Sequence, residues 1–450
     1  MAEETAVKEI TIPYKPHPGQ LLVHRSKARF KVLCCGQRWG KDRCTIMDLL
    51  KHCAEMAGES GRDELIPRVL AWYVAPTYKL LNQAWAEFRA YLKDAAVFHE
   101  AAKTLELPGN VVIELKSGEK PGGLVGRGVD YLAVTEAALL REDAWGAELV
   151  GRLISPGRGP KGAGGLATVN STPRGKNWFY NLWRNGQDPL MPDWESWQFP
   201  TASNPLINKR FIEDLRRTTT DRDFRETCLA EFIDENEAEV FLRLESALVA
   251  VDKWPPDPEP LHRYAAGIDW GRRGDASVLT VVDITEEPFR LVDFLRLVQV
   301  DYSTQIRRIR RRLDVWQPFI VIPEQNSIGD PLIEELTKGF PYRLSPFITS
   351  NASKVRIIEN LMLLTERQNL QLPARRVGAV LDCLVPVLFY EMRDFACKRT
   401  SYGNITYAAP PGKHDDCVMS LALACSHASR FVPGVPALAP QITEWGNMFV

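Results

Sequence analysis

Residues 252–260 read DKWPPDPEP, four prolines in nine positions. Each proline fixes φ at about −65° and removes a backbone N–H, so neither a helix nor a central strand can run through this stretch. The chain is therefore expected to fold as two bodies, 1–250 and 263–430. A stiff linker at 251–262 would join them, and an irregular Pro-rich tail at 431–450 would follow. With 450 residues in total, each body can bury a core of its own.

Composition excludes several classes. Lys and Arg number 56 against 57 Asp and Glu, so a nucleic-acid surface must be a local patch rather than a property of the whole charge. Nine cysteines, an odd number with no CxxC pair, suit neither a disulfide framework nor a zinc site and fit a reducing cytosol. The N-terminus MAEETAVKEI lacks a signal-peptide layout, and no apolar run approaches the roughly 20 residues that span a bilayer. The expectation is a soluble cytoplasmic protein with no membrane partner.

In the first body, the apolar run 30–35 reads as a buried strand entering a Gly-bearing loop, and 45–57 as a helix. Runs 69–74, 131–134 and 165–170 read as further buried strands. Strand alternating with helix implies an α/β fold with a parallel-rich sheet and crossover helices. The second body opens differently. Runs 264–269, 277–283 and 290–294 have short connections and predict an antiparallel meander. A helix near 305–313 and a strand at 319–323 follow. That order is similar to an RNase H-like domain.

Cys35-Gly36-Gln37-Arg38-Trp39-Gly40-Lys41-Asp42 lies where a phosphate loop must lie, after a strand and opening a helix. Loop N–H groups and the helix N-terminus would hold phosphate oxygens, and Lys41 would reach the β- and γ-phosphates. The plainer alternative is a strand–turn–helix with a solvated lysine. Asp42 stands where a Ser or Thr is usual. Later, Leu132-Ala133-Val134-Thr135-Glu136 ends a buried strand. Glu136 would orient the attacking water, but Thr135 stands where an Asp is usual. In a P-loop enzyme these two positions face one Mg²⁺. The reading is that Asp42 and Thr135 have exchanged roles, so that a carboxylate and a hydroxyl still meet the ion.

Asp269 ends an apolar strand, Glu324 follows another, and Asp415-Asp416 opens the apolar helix expected at 417–428. An acid at the end of a buried strand is costly without a purpose. Three carboxylates gathered at one place suit two Mg²⁺ or Mn²⁺ ions and hydrolysis of a phosphodiester. The third acid is Asp416 or Asp415, the other being a helix cap. The helix at 305–313 would turn Ile306, Ile309 and Leu313 inward and Arg307, Arg308, Arg310, Arg311 and Arg312 outward. Such a basic face can bind phosphates without reading bases, though a merely solvated face gives the same pattern.

Taken together, these pieces resemble the large terminase subunit of tailed double-stranded DNA phages, a P-loop (ASCE-type) ATPase joined to an RNase H-like nuclease. The resemblance runs in order along nearly the whole chain. Gln20 in His17-Pro18-Gly19-Gln20 is similar to the family's adenine-recognising Gln. The loop Arg38-Trp39-Gly40-Lys41-Asp42-Arg43 resembles its nucleotide-binding loop. Val74-Ala75-Pro76-Thr77-Tyr78 and the segment leading to Glu136 resemble its next motifs. Asn170-Ser171-Thr172-Pro173-Arg174-Gly175 resembles its coupling motif, which implies that Ser171 and Thr172 sense the γ-phosphate. Residues 224–232, with Glu226 and Glu231, resemble its lid, expected near 200–245. Glu324-Gln325-Asn326-Ser327-Ile328-Gly329 resembles its second acidic motif, and Lys354 a family lysine near substrate phosphate.

The resemblance implies ATP with Mg²⁺, double-stranded DNA, a portal protein, a small terminase subunit, and a ring of subunits, by family pattern pentameric. It implies action in the cytoplasm of the infected host and absence from the mature virion. Arg127, Arg141 and Arg152 are candidates for an arginine given to a neighbour's ATP. Three other readings compete. An RNase H-like resolvase or recombinase leaves the phosphate loop unexplained. A nucleotide-binding structural motor component without hydrolysis would account for Asp42 and Thr135. A helicase-like ATPase should carry a second motor fold instead of three acids.

Overall fold

A computed structural model of the chain describes residues 12–59, 65, 67–120, 122–234, 239–271, 276–325, 329–339, 341–399 and 405–426. The expected tail at 431–450 and residues 326–328 of the second acidic run lie outside them. The chain divides into two compact units, 1–235 with 399–404, and 236–398 with 405–450.

The first unit is built on an eight-stranded sheet. Its strands are β1 (Phe30–Cys35), β2 (Val69–Ala75), β3 (Val97–His99), β4 (Thr104–Leu107), β5 (Val111–Ser117), β6 (Tyr131–Val134), β7 (Leu166–Ser171) and β8 (Trp194–Phe199). Their order is β3-β4-β5-β2-β6-β7-β1-β8, parallel except where β4 meets β3 and β5. Helices α1 (Pro18–Arg25), α2 (Lys41–Ala57), α3 (Tyr78–Leu92), α4 (Trp178–Asn185), α5 (Lys209–Thr218) and α6 (Asp221–Thr227) complete it. Strands β1, β2 and β6 are buried throughout, as parallel strands covered on both faces must be. One face packs Ile46, Leu49 and Met56 of α2 with Trp85 and Phe88 of α3. The other packs Trp145, Leu149 and Leu153 with Trp178 and Phe179 of α4.

The second unit holds β9 (Leu248–Ala250), β10 (Tyr264–Asp269), β11 (Ala276–Asp283), β12 (Phe289–Val298), β13 (Ile320–Pro323), β14 (Leu370–Val377) and β15 (Val380–Cys383). Their order is β13-β10-β11-β12-β14-β15, with β9 also on β14. The meander β10-β11-β12 is antiparallel, and β13 joins β10 in parallel. The helices are α7 (Tyr302–Trp316), α8 (Gly329–Thr337), α9 (Asn351–Glu366), α10 (Pro386–Asp394) and α11 (Asp416–Cys425).

The division falls ahead of the proline-rich stretch. Val240, Phe241, Leu244 and Ala247 are buried in the second unit's core, and β9 pairs with β14 there. Residues 240–250 are thus drawn from the expected motor body, and 240–245 from the expected lid, by the apolar area they bury. The stretch 251–262 lies against its own unit: Val251 N–H donates to Ala374 O at 3.0 Å and Glu259 N–H to Tyr264 Oη at 2.8 Å. A cavity of about 420 Å³ lies beneath it.

Candidate functional site

The first cluster forms where β1 runs into α2. Gly40 caps α2 with φ 95°, a left-handed conformation that suits glycine. Trp39 is fully buried, stacks on Phe199 at 4.4 Å between ring centroids, and donates its indole N–H to Ser203 Oγ at 2.9 Å. Gln37 N–H donates to Thr227 O at 2.6 Å, and Asn204 Nδ2 donates to Arg38 O at 3.0 Å. The turn is thereby fixed by its own surroundings while Gln37 and Arg38 stay exposed.

Lys41 Nζ lies 2.8 Å from Glu136 Oε1 and donates to Thr172 Oγ1 at 3.2 Å. Burial disfavours the Lys41 ammonium, but Glu136 and Asp42 outweigh it, and its pKa rises. Glu136 has left-handed φ 47° and ψ 44°, a strained backbone that costs about 1–3 kcal/mol and tends to collect at active sites. The Thr135 hydroxyl donates to the Asp42 carboxylate and lies 3.3 Å from Asn170 Oδ1. Burial pushes the Asp42 pKa up, with Lys41 and Thr135 partly opposing it. Asp42, Thr135, Glu136, Lys41 and Thr172 therefore meet in one pocket.

Other candidates turn elsewhere. Ser171 is fully buried, accepts from Ala138 N–H at 3.2 Å and donates to Thr172 O at 2.8 Å, so it braces the segment after Glu136. Gln20 donates to Gly40 O at 3.0 Å and accepts from His17 N–H at 3.1 Å, joining α1 to the loop. Arg43 donates to Tyr91 Oη at 2.7 Å. Arg127 bonds to Glu114, Arg141 to Glu148 and Asp143, and Arg152 to Gly126 O, all inside the first unit. On α6, Glu226 accepts from Gly175 N–H at 2.7 Å, so α6 grips the loop that follows β7.

The second cluster forms where β10 and β13 end side by side. Ile268 pairs with Pro323, and Glu324 N–H donates to Ile268 O at 2.8 Å. Asp269 and Glu324 thus emerge together. Helix α11 brings Asp416 to the same edge, where its Oδ2 accepts from Ala276 N–H at 3.1 Å. Gly267 permits this approach, since a Cβ there would lie 2.1 Å from Ser420 O. Asp269 is 8% exposed. Burial, then the Glu324 hydrogen bond and charge, then Asp416 and Asp415, hold its pKa well above the usual carboxylate range. Buried acids crowded in this way fit a divalent cation, whose charge would offset both their burial and their mutual repulsion.

Asp415 occupies the N-cap position of α11 but makes no side-chain cap bond. Its Oδ2 accepts from Lys354 Nζ at 2.7 Å instead. The cap expected of Asp415 is therefore absent, because the nearby ammonium is the stronger partner.

A family model described as the terminase RNaseH-like domain matches residues 266–428. The large terminase subunit of Thermus virus P23-45 is 28% identical over 462 residues, covering 92% of this chain and 87% of that one. That of Thermus phage G20c is 27% identical over 459 residues, with the same coverage. Over nearly its whole length the chain is thus similar to phage large terminase subunits. A solved large terminase from another thermophilic bacteriophage is 13% identical, with a TM-score of 0.51 over 90% of this chain and 97% of that one, a likeness of fold. Among the described residues of this chain no helix is long and apolar enough to cross a membrane.

On α7 the protein divides its arginines. Arg307, Arg308 and Arg311 are exposed. Arg310 instead donates to Glu335 O, Leu336 O and Lys338 O at 2.8–2.9 Å, holding the end of α8. Arg312 lies 3.3 Å from the buried Asp293. Gln305 accepts from Ser277 Oγ at 2.7 Å, which ties the start of α7 to β11 next to Ala276. Asn170, the first residue of the run that resembles the coupling motif, donates to Thr45 Oγ1 at 2.8 Å while facing Thr135. A separate group, Glu259, His262 and Asp283, has metal-ligand spacing. Arg290 Nη2 already lies 2.6 Å from Asp283 and 2.9 Å from Glu259, supplying the positive charge there.

Proposed function

We propose that the protein acts as a phage large terminase, hydrolysing ATP at the Lys41–Glu136 pocket to drive double-stranded DNA into a procapsid and cutting concatemeric DNA with divalent metal at Asp269, Glu324 and Asp416. The observation that carries this reading is the convergence of those acids at one strand edge, in a chain that also joins a loop lysine to Glu136 at 2.8 Å.

In the motor, loop N–H groups and the α2 N-terminus receive the phosphates. Lys41 passes from Glu136 to the β- and γ-phosphate oxygens, which frees Glu136 to orient the attacking water. Thr172, adjacent to that ammonium, registers the γ-phosphate. Asp42 and Thr135 hold Mg²⁺; their mutual hydrogen bond supports the exchanged roles. Gln20 keeps one further amide N–H available for adenine.

In the nuclease, Asp269, Glu324 and Asp416 hold two Mg²⁺ or Mn²⁺ ions. Such ions supply an activated water and stabilise the leaving 3′ oxygen. Lys354 balances Asp415 and meets substrate phosphate, and Arg307, Arg308 and Arg311 hold DNA by its backbone. The partners are a portal protein, a small terminase subunit and further copies in a pentameric ring. The setting is the infected host's cytoplasm, and the mature virion lacks the subunit.

The test measures DNA-stimulated ATPase and Mn²⁺-dependent plasmid cleavage together. Lys41→Ala should lose ATPase and keep cleavage, and Asp269→Asn should do the reverse. Wild-type cleavage without ATPase would favour a resolvase or recombinase. Neither activity would favour a structural motor component, and ATPase with unwinding but no cleavage a helicase.

A further inference from the structure

Glu391 on α10 lies outside the acid set described above, yet its carboxylate reaches the start of α11. Oε2 accepts from Cys417 N–H at 2.9 Å, and Oε1 accepts from the Cys417 thiol at 3.0 Å. Cys417 directly follows Asp416 in the chain.

A helix leaves its first N–H groups without partners inside the helix. The N-cap side chain normally accepts from them. In α11 the N-cap residue is Asp415, and it has turned to Lys354. The cap comes from a different helix, and it comes as a carboxylate, which the helix N-terminus favours. The neighbours Leu388 and Met392 anchor α10 in the core, so the carboxylate is presented from a fixed base.

We propose that Glu391 is a positioning residue for the nuclease centre. By capping α11 in trans it lets Asp415 pair with Lys354, and it holds Asp416 at the position where Ala276 N–H meets Oδ2. This inference rests on the reading of Asp416 as a metal ligand. Partners that orient a ligand without touching the metal typically govern affinity by about 10–100-fold.

The experiment uses the full chain and titrates plasmid cleavage against Mn²⁺ for wild type, Glu391→Ala, Glu391→Gln and Asp416→Asn. ATPase and thermal unfolding are followed alongside. Glutamine keeps an acceptor for the Cys417 N–H, and alanine keeps none. Glu391→Ala should raise the half-saturating Mn²⁺ by about tenfold or more while the rate at saturating Mn²⁺ changes less. Glu391→Gln should recover most of that shift, and ATPase should hold in both. A lowered unfolding temperature with an unchanged Mn²⁺ response in Glu391→Ala would overturn the positioning role and leave a packing role. Loss of the rate at every Mn²⁺ concentration with unchanged half-saturation would overturn it equally. Wild-type cleavage by Asp416→Asn would instead remove the metal-ligand reading beneath it.

Discussion

Asp42 is a half-buried acid whose raised pKa is set against a neighbouring lysine and a threonine hydroxyl. Removing either partner of Asp42 and Thr135 leaves a different mixture of donors. Asp42→Ser gives two hydroxyls, and Thr135→Asp gives two carboxylates next to Glu136. The double variant restores one of each in the usual order. Coupled neighbours commonly show interaction energies of about 0.5–3 kcal/mol. ATP turnover in the double variant should therefore exceed that of either single variant by about tenfold, which is about 1.4 kcal/mol. Losses that simply add would contradict the exchange. At this scale the sequence was informative where chemistry is local. The placement of Lys41 at a helix start, of Glu136 just after a buried strand and of Asp269 at a strand end could all be read from their flanking residues. The choice of Lys354 by Asp415 could not, because it joins positions 61 residues apart. Glu391 carried no signal either, since its role depends on how α10 packs beside α11.

Elements explain why these residues converge. Parallel β10 and β13 end together, and Gly267 lets α11 lie close enough to deliver Asp416. Strand bounds for β1, β6 and β10 follow directly from short apolar runs, because strands buried on both faces leave an unbroken apolar signature. The edge strand β3 and its neighbour β4 left no such trace, being short and partly exposed. Helix α7 shows the limit of pattern alone. Its period separates core from surface, but only tertiary packing distinguishes Arg310 and Arg312, which hold the fold, from Arg307, Arg308 and Arg311. Charge reversal at those three exposed arginines should weaken DNA binding and flatten its dependence on salt, by about 0.9 in log–log slope for each phosphate no longer neutralised. Arg312→Ala should keep the slope and lower the unfolding temperature, because Asp293 would stay buried without its guanidinium. Fluorescence anisotropy across a salt series, paired with thermal unfolding, separates the two groups. Equal slopes for the triple variant and wild type would remove α7 from the DNA surface.

At the scale of the whole molecule, each unit carries its own candidate site on its own sheet. The RNase H-like order and the parallel-rich motor sheet were both legible, since each follows from element sequence and connection length. The boundary was not, because prolines mark where a chain cannot be regular, while a unit ends where burial ends. Val240 and Phe241 belong to the second core, although they precede the prolines. The central claim is that the second unit gathers divalent ions at Asp269, Glu324 and Asp416 in a chain that also binds ATP. Anomalous diffraction from full-chain crystals soaked in Mn²⁺ tests it most directly. The account predicts manganese peaks among those three carboxylates and none in Asp269→Asn. Peaks at Glu259, His262 and Asp283 instead, or no peak at saturating Mn²⁺, would contradict it.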